Sequence, residues 1–136
     1  MKQAVKRHVY FTIGKECHMS KVAIVVLADT TTHEALGRVV NALEAVKEFK
    51  EAHDDVQLIF DGAGPKWIPE LERPDHKAHG LYAAVKDRIS GACDFCAGAF
   101  GVKDTVTSCG VRLAGDHDGH PSFKKLVEQG YQIITF

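Results

Sequence analysis

The apolar run Val22–Ala28 constrains the fold of this chain more than any other stretch. Its residues, VAIVVLA, are rich in β-branched side chains and include no polar one. A strand that is apolar at every position needs both of its faces covered, which is typical of the centre of a parallel sheet. Threonines follow that can supply N-cap oxygens, and apolar residues then recur at helical spacing from Leu36 to Phe49. This stretch therefore predicts a buried strand followed by an amphipathic helix.

The same alternation continues to the end of the chain. The further predicted strands are Val56–Phe60, a short one from Ile89 into Cys93, Val111–Ala114 and Tyr131–Phe136. The further predicted helices are Asp75–Ile89, one broken or two short helices over Ala97–Cys109 with the break at Gly101, and Pro121–Gln129. We predict a loop over Asp61–Leu71 because it contains two glycines and two prolines. Strands that alternate with helices predict an α/β fold, a five-stranded, mainly parallel sheet with helices on both faces.

Composition limits the class of partner. The chain has 136 residues, 45% of them hydrophobic, and a net charge of -1, which predicts one ordinary domain without an electrostatic case for nucleic acid or an anionic membrane. The apolar runs are too short to span a bilayer. Residues 1–19 differ in composition, so we predict an N-terminal extension there and a single domain over 20–136. The short apolar patch Val9–Ile13 is alternatively an extra edge strand.

The four cysteines are Cys17, Cys93, Cys96 and Cys109. A chain of this length and hydrophobic content does not need a disulfide framework, so we predict reduced thiols and a cytoplasmic protein. We interpret Cys109 as a packing residue and assign no role to Cys17.

Cys93 and Cys96 form a C-x-x-C pair where a strand passes into a helix. A thiol at a helix N-terminus is favoured as the reactive thiolate. Three interpretations stay open: sulfur chemistry with Cys93 as nucleophile and Cys96 as resolving thiol, a zinc half-site completed by His117 or His120, and simple packing. Thioredoxin-like exchange uses the same spacing, but thioredoxin places its pair early, whereas here the pair follows about two-thirds of the chain. We predict no organic cofactor and assign no metal ligand.

Two other loops follow predicted strands and carry candidate binding residues. We expect a turn at Asp61 and Gly62 to bring the carboxylate near the thiol. Trp67, on the same loop, is predicted to be exposed, as a lid over a pocket or a subunit contact. His120 either holds Cys93 as a thiolate or caps the final helix, and we prefer the cap. Asp61, Gly62, Trp67 and His120 are our candidate substrate-binding residues.

Four stretches together resemble the DsrE/DsrF-like proteins of sulfur relay, over about residues 20–136. They are Lys21–Asp29, the loop Phe60–Trp67, the Cys93-x-x-Cys96 turn, and the closing segment from His120-Pro121-Ser122 through Gly130–Phe136. The resemblance implies a flavodoxin-like three-layer α/β/α fold and a homo-oligomer, a trimer or a hexamer. It also implies that Cys93 holds sulfane sulfur as a persulfide, and that Cys96 matches a second cysteine found in some members.

The resemblance leads to the hypothesis of an intracellular sulfur-relay protein, either a sulfur carrier or sulfurtransferase-like. Its partners are then sulfur donor or acceptor proteins. The alternative hypothesis is an oligomeric binding module without turnover, which holds a small ligand or a partner protein in a pocket under Trp67. Phe95 and Phe100 beside the pair predict a more apolar pocket than is common in the family, and such a pocket raises the pKa of a thiol.

Overall fold

The computed structural model describes residues 18–136. The predicted extension over 1–19 lies outside the described residues, apart from its last two, and so do Cys17 and the optional strand Val9–Ile13. The strands are β1 (Lys21–Val26), β2 (Asp55–Phe60), β3 (Ile89–Cys93), β4 (Leu113–Ala114) and β5 (Gln132–Thr135). The helices are α1 (His33–Glu51), α2 (Trp67–Glu72), α3 (His79–Val85), α4 (Asp94–Ala99), α5 (Lys103–Ser108) and α6 (Phe123–Glu128), with 3₁₀ turns at Gly64–Lys66 and Lys86–Arg88.

All strand pairings in the described sheet are parallel, and the strand order is β4-β3-β2-β1-β5. The apolar run therefore lies inside the sheet, where Ile24 of β1 aligns with Leu58 of β2 on one side and Ile134 of β5 on the other. The predicted central position of this strand is confirmed. Because every strand points the same way, the loops that follow β1, β2, β3 and β4 all emerge at one edge of the sheet.

The two faces of the sheet are covered unequally. Val22, Ile24 and Val26 of β1 pack in the larger core, together with buried residues of α1, α2, α3 and α5. Ala23 and Val25 point to the other face, where Leu126 of α6 covers them. The alternating apolar side chains of one strand thus serve two cores, which explains why Val22–Val26 are all apolar. The predicted α/β fold, with helices on both faces of a parallel sheet, is confirmed.

The connection from β4 to β5 crosses from one edge of the sheet to the other and carries α6. As a result β1 lies between β2 and β5, and the strand order reverses between β1 and β5. The layers are flavodoxin-like, although flavodoxin itself places β1 between β2 and β3. Ligands in such sheets usually bind at the reversal point. The cysteine pair instead lies at the end of β3, two strands away from that point.

The predicted loop over Asp61–Leu71 is wrong for most of its length. It contains the 3₁₀ turn Gly64–Lys66, with Pro65 in its first turn, and then the first residues of α2. Pro69 is the third residue of α2, where a backbone N–H has no partner within the helix, so proline costs little there. The predicted helix Asp75–Ile89 is also shorter than expected, since regular α-helix covers only His79–Val85.

Candidate functional site

Four side chains from three neighbouring loops converge at the carboxyl ends of the strands. Asp61 follows β2, Cys93 ends β3, Cys96 lies in the first turn of α4, and His120 follows β4. One carboxylate oxygen, the two sulfur atoms and one ring nitrogen all lie within 4.8 Å of one another. β2, β3 and β4 are adjacent in the sheet, so their ends bring together residues that are far apart in the sequence. We call these four residues the thiol cluster.

Cys93 is the most enclosed member of the thiol cluster. It occupies the N-cap position of α4, and its Sγ accepts the backbone N–H of Cys96 at 3.4 Å. The same sulfur lies 3.3 Å from Nδ1 of His120 and 3.7 Å from the carbonyl oxygen of Gly119. The side chain is fully buried. Cys93 thus stands at the strand-to-helix junction that the sequence predicts, but solvent does not reach it directly.

Burial raises the pKa of Cys93 to about 12. The backbone N–H of Cys96 works in the opposite direction, whereas the side chains of Cys96 and Asp61 raise the pKa further. The expectation that the helix N-terminus favours a thiolate here is therefore wrong, because desolvation outweighs one N–H donor from a six-residue helix. The raised thiol pKa that the sequence predicts from an apolar pocket is confirmed in direction, but the rings of Phe95 and Phe100 are both exposed.

Alkylation of Cys93 is expected to rise with pH well beyond the range of an ordinary thiol. With a pKa of about 12, the thiolate fraction at pH 7 is on the order of 10⁻⁵, against about 3% for a free cysteine. Peptide mapping by mass spectrometry after short iodoacetamide pulses from pH 7 to 10 measures the rate at each cysteine. The rate at Cys93 should climb about tenfold per pH unit throughout.

The matched control for that experiment is the same protein in guanidinium chloride, where the rate at Cys93 should level off near pH 8.5. A rate in the folded protein that also levels off near pH 8.5 would contradict the raised pKa.

Asp61 is a buried carboxylate, only 8% exposed. Its Oδ1 accepts the backbone N–H of Gly62 at 2.8 Å and the thiol of Cys96 at 3.4 Å. Gly62 has a φ of 55°, in the region that favours glycine, and contributes this backbone donor. The turn brings the carboxylate to a thiol as the sequence suggests, and the thiol it contacts is Cys96. Cys96 itself is half-buried, so it is the more accessible of the two cysteines in the thiol cluster.

His120 reaches the cluster through a tight turn. His117 and His120 exchange backbone hydrogen bonds of 2.9 and 2.7 Å around Asp118 and Gly119, whose φ angles are 49° and 82°. Positive φ at both central residues is typical of a type I′ turn, for which Asp-Gly is a preferred dipeptide. The ring of His120 packs against Phe95 with centroids 4.8 Å apart, which holds its Nδ1 toward Cys93.

The preferred prediction that His120 caps the final helix is wrong. Ser122 is the N-cap of α6, and its Oγ accepts the backbone N–H of Lys125 at 3.2 Å. The Asp118-Gly119 dipeptide was the signal that could have placed His120, because a two-residue turn folds the next residue back toward the sheet. His117, the other histidine considered, points away and is exposed.

Trp67 is not a lid. It is 3% exposed, packs in the larger core, and donates its indole N–H to the carbonyl oxygen of Ala28 at 2.9 Å. The prediction of an exposed side chain is wrong because the predicted loop is largely helical and turns this residue inward. Trp67 lies outside the thiol cluster and lines a separate surface pocket together with His33 and His76, so the alternative hypothesis of a binding module stays a prediction.

The fold and the thiol cluster define a small α/β protein with a buried site that contains cysteine, histidine and aspartate. No family model matches the sequence. The chain is 34% identical over 87 residues to the uncharacterized protein MJ0733 of Methanocaldococcus jannaschii, a match that covers 64% of this chain and 70% of that protein. The chain therefore belongs to the same family as this archaeal protein.

A solved structure supports the fold. The structure of a conserved protein of unknown function, BT1422 from Bacteroides thetaiotaomicron, matches with a TM-score of 0.57, covering 85% of this chain and 95% of that chain. The two sequences are 14% identical, so the likeness concerns the fold. Within residues 18–136, no helix combines the length and apolar character that crossing a membrane requires.

Proposed function

We propose that this protein carries sulfane sulfur as a persulfide on Cys93, and that Cys96 is the thiol that meets the sulfur donor. The observation that carries the proposal is the pairing of each thiol with a proton acceptor. The thiol of Cys93 lies 3.3 Å from Nδ1 of His120, and that of Cys96 lies 3.4 Å from Oδ1 of Asp61. Since the thiolate is the nucleophile, a nearby acceptor makes each sulfur a usable attacking group.

The first step uses the accessible sulfur. Cys96 transfers its proton toward Asp61, and its thiolate attacks the outer sulfur of a donor persulfide, R–S–SH. A new sulfur–sulfur bond forms on Cys96, the donor's sulfur–sulfur bond breaks, and the donor leaves as a thiol after taking up the proton. Cys96 now carries the persulfide, and no net oxidation or reduction has occurred.

The second step moves the sulfur into the buried position. Cys93 gives its proton to His120, in the tautomer that leaves Nδ1 free, and attacks the outer sulfur of the Cys96 persulfide. Cys96 returns to the thiol by taking up that proton. Both sulfur atoms belong to a cluster whose donor atoms lie within 4.8 Å, so the transfer needs only small side-chain movements. A persulfide on Cys93 is then shielded from solvent thiols by burial.

The resemblance to the DsrE/DsrF-like proteins supports the same function. In members of that family with a reactive cysteine, the residue stands at the strand-to-helix turn that Cys93 occupies here. The sulfur donor and acceptor proteins and the homo-oligomer, a trimer or a hexamer, remain predictions from that resemblance.

Persulfide loading should depend on both cysteines of the cluster. After incubation with a small-molecule persulfide, intact-mass and peptide spectra of the wild type should show one added sulfur atom on Cys93. Cys96→Ser should load at least about tenfold more slowly than the wild type, because the accessible sulfur is lost. Cys93→Ser should lose its added sulfur to solvent thiols, because the buried position is no longer a cysteine. Cys109→Ser is the matched control, because this half-buried cysteine lies outside the cluster.

Retention of the added sulfur in Cys93→Ser equal to that in the wild type, or no loading of a folded wild type whose thiols alkylate fully after unfolding, would contradict the proposal.

A further inference from the structure

We propose that Asp61, Cys93, Cys96 and His120 form a four-coordinate Zn²⁺ site. Each residue offers one ligand atom, and the four atoms lie within 4.8 Å of one another. The inference requires only the positions of these four groups, so it does not rest on the sulfur-carrier function.

The spacing of the ligand atoms suits a tetrahedral ion. With metal–sulfur bonds of about 2.3 Å and metal–nitrogen or metal–oxygen bonds of about 2.0 Å, neighbouring ligand atoms lie about 3.3–3.8 Å apart. Cys93 Sγ and His120 Nδ1 are already 3.3 Å apart, and Cys96 Sγ and Asp61 Oδ1 are 3.4 Å apart. The most distant pair, at up to 4.8 Å, would have to approach by about 1.0–1.5 Å, depending on which ligand atoms it joins.

The chemical mixture of ligands favours zinc over harder cations. Two thiols, an imidazole and a carboxylate are the ligand types of zinc sites, whereas Mg²⁺ and Ca²⁺ require mainly oxygen ligands. A C-x-x-C pair also supplies two ligands from one turn, which is a common zinc spacing. Four protein ligands close the coordination sphere, so the ion would hold the loops together and would not activate water.

Charge balance in the buried site points the same way. The carboxylate of Asp61 is buried. Its described hydrogen-bond donors are both neutral, the backbone N–H of Gly62 and the thiol of Cys96. Lysines of the adjoining segments are engaged elsewhere, Lys66 with Asp29 at 2.7 Å and Lys103 with Asp94 at 2.6 Å. A divalent cation would compensate the buried carboxylate and would stabilise both sulfurs as thiolates.

The ligands are held by rigid elements before any ion arrives. They extend from the ends of three adjacent strands, and the backbone N–H of Cys96 already points at Cys93 Sγ. Packing against Phe95 orients the His120 ring. Cys96 and His120 are half-buried, which gives an ion a route into the cluster. Zinc and sulfane sulfur would compete, because both need the same two sulfur atoms.

The test is metal binding by the full chain, reduced and stripped of metal with a chelator. Titration with Zn²⁺ should reach one ion per chain, and Co²⁺ should give the visible bands of a tetrahedral site with thiolate charge transfer. Asp61→Asn, His120→Gln, Cys93→Ser and Cys96→Ser should each weaken Zn²⁺ binding by at least about tenfold. His117→Gln and Cys109→Ser should bind as the wild type does, and excess Mg²⁺ should not compete.

The outcomes separate the two proposals. Three results would overturn the zinc site. They are Zn²⁺ binding below one ion per chain, a Co²⁺ spectrum without thiolate charge transfer, or wild-type Zn²⁺ affinity in both Asp61→Asn and His120→Gln. Circular dichroism of each variant before titration excludes loss of fold as the cause of weak binding. Persulfide loading is scored separately on the metal-free wild type, because Asp61 is itself the proposed proton acceptor of Cys96. Loading without metal binding defeats the zinc site alone, and metal binding without loading defeats the sulfur carrier alone.

Discussion

Replacing Gly64 with alanine should destabilise the protein by about 3 kcal/mol or more. A Cβ at this position would lie 2.1 Å from the carbonyl oxygen of Val26 and 2.9 Å from its carbonyl carbon. Both atoms belong to the backbone of the central strand β1, so no side-chain rotation can relieve the overlap. The 3₁₀ turn or the end of β1 would have to move.

The backbone around Gly64 has little freedom to accommodate that movement. The Val26 carbonyl oxygen already accepts the N–H of Asp61 at 2.9 Å, and Gly64 donates its own N–H to the Asp61 carbonyl at 2.8 Å. The turn is therefore fixed between two hydrogen bonds and a buried strand end. Displacing it would also shift Asp61, so Gly64→Ala should disturb the thiol cluster in the fraction that remains folded.

Gly37→Ala is the matched control for this prediction. Gly37 is an exposed residue of α1, and an added Cβ there would meet no atom within 4 Å. Alanine should stabilise the helix interior by about 0.5–1 kcal/mol. Both variants replace glycine with alanine, but Gly64→Ala should lower the urea midpoint of unfolding and Gly37→Ala should raise it. Far-UV circular dichroism measures both midpoints. Equal midpoints for Gly64→Ala and the wild type would show that the turn is not packed against β1.

Trp67→Ala is expected to cost about 3–5 kcal/mol of folding free energy, the second large effect. The indole is buried among core residues that α2 shares with the sheet, and truncation leaves a cavity that the rigid neighbours cannot fill. Trp67→Phe removes less volume, but it leaves the Ala28 carbonyl oxygen without its indole donor. That change should cost about 1–3 kcal/mol.

The same measurement distinguishes a core tryptophan from a surface lid. Phe95→Ala is the control, because this ring is 59% exposed and its truncation should change stability by less than about 0.5 kcal/mol. Trp67 is the single tryptophan of the chain, so the variants must be followed by circular dichroism, since fluorescence loses its reporter. Wild-type stability in Trp67→Ala would mean that the side chain is not part of the core.

Local sequence patterns were enough to predict the type and order of the main strands and helices. The unbroken apolar run of β1, the helical spacing that follows it and the break at Gly101 are signals carried by neighbouring residues. Each was confirmed in kind, with α4 and α5 on either side of a glycine whose φ is 70°. The order of strands and helices then led to a parallel sheet. The loops were predicted less well. Pro65 and Pro69 suggested a loop, but each lies in the first turn of a helical segment, where proline is tolerated.

All four members of the thiol cluster could be singled out from the sequence, but their contacts could not. Asp61 and Cys96 are 35 positions apart, and Cys93 and His120 are 27 apart. Whether such residues meet depends on which strands are adjacent and where each loop turns. The preference for His120 as a helix cap failed for this reason, because it considered only the residues beside it.

The sequence by itself determined that this chain forms a parallel α/β sheet and that Cys93 ends one of its strands, because periodicity and composition act over a few residues. Only the tertiary structure decided how deeply each side chain is buried. Burial placed Trp67 in the core, left Cys96 as the accessible sulfur, and raised the pKa of Cys93 to about 12 against the pull of the helix N-terminus. Desolvation depends on everything packed around a group, including elements remote in the chain, so a local pattern cannot give its size.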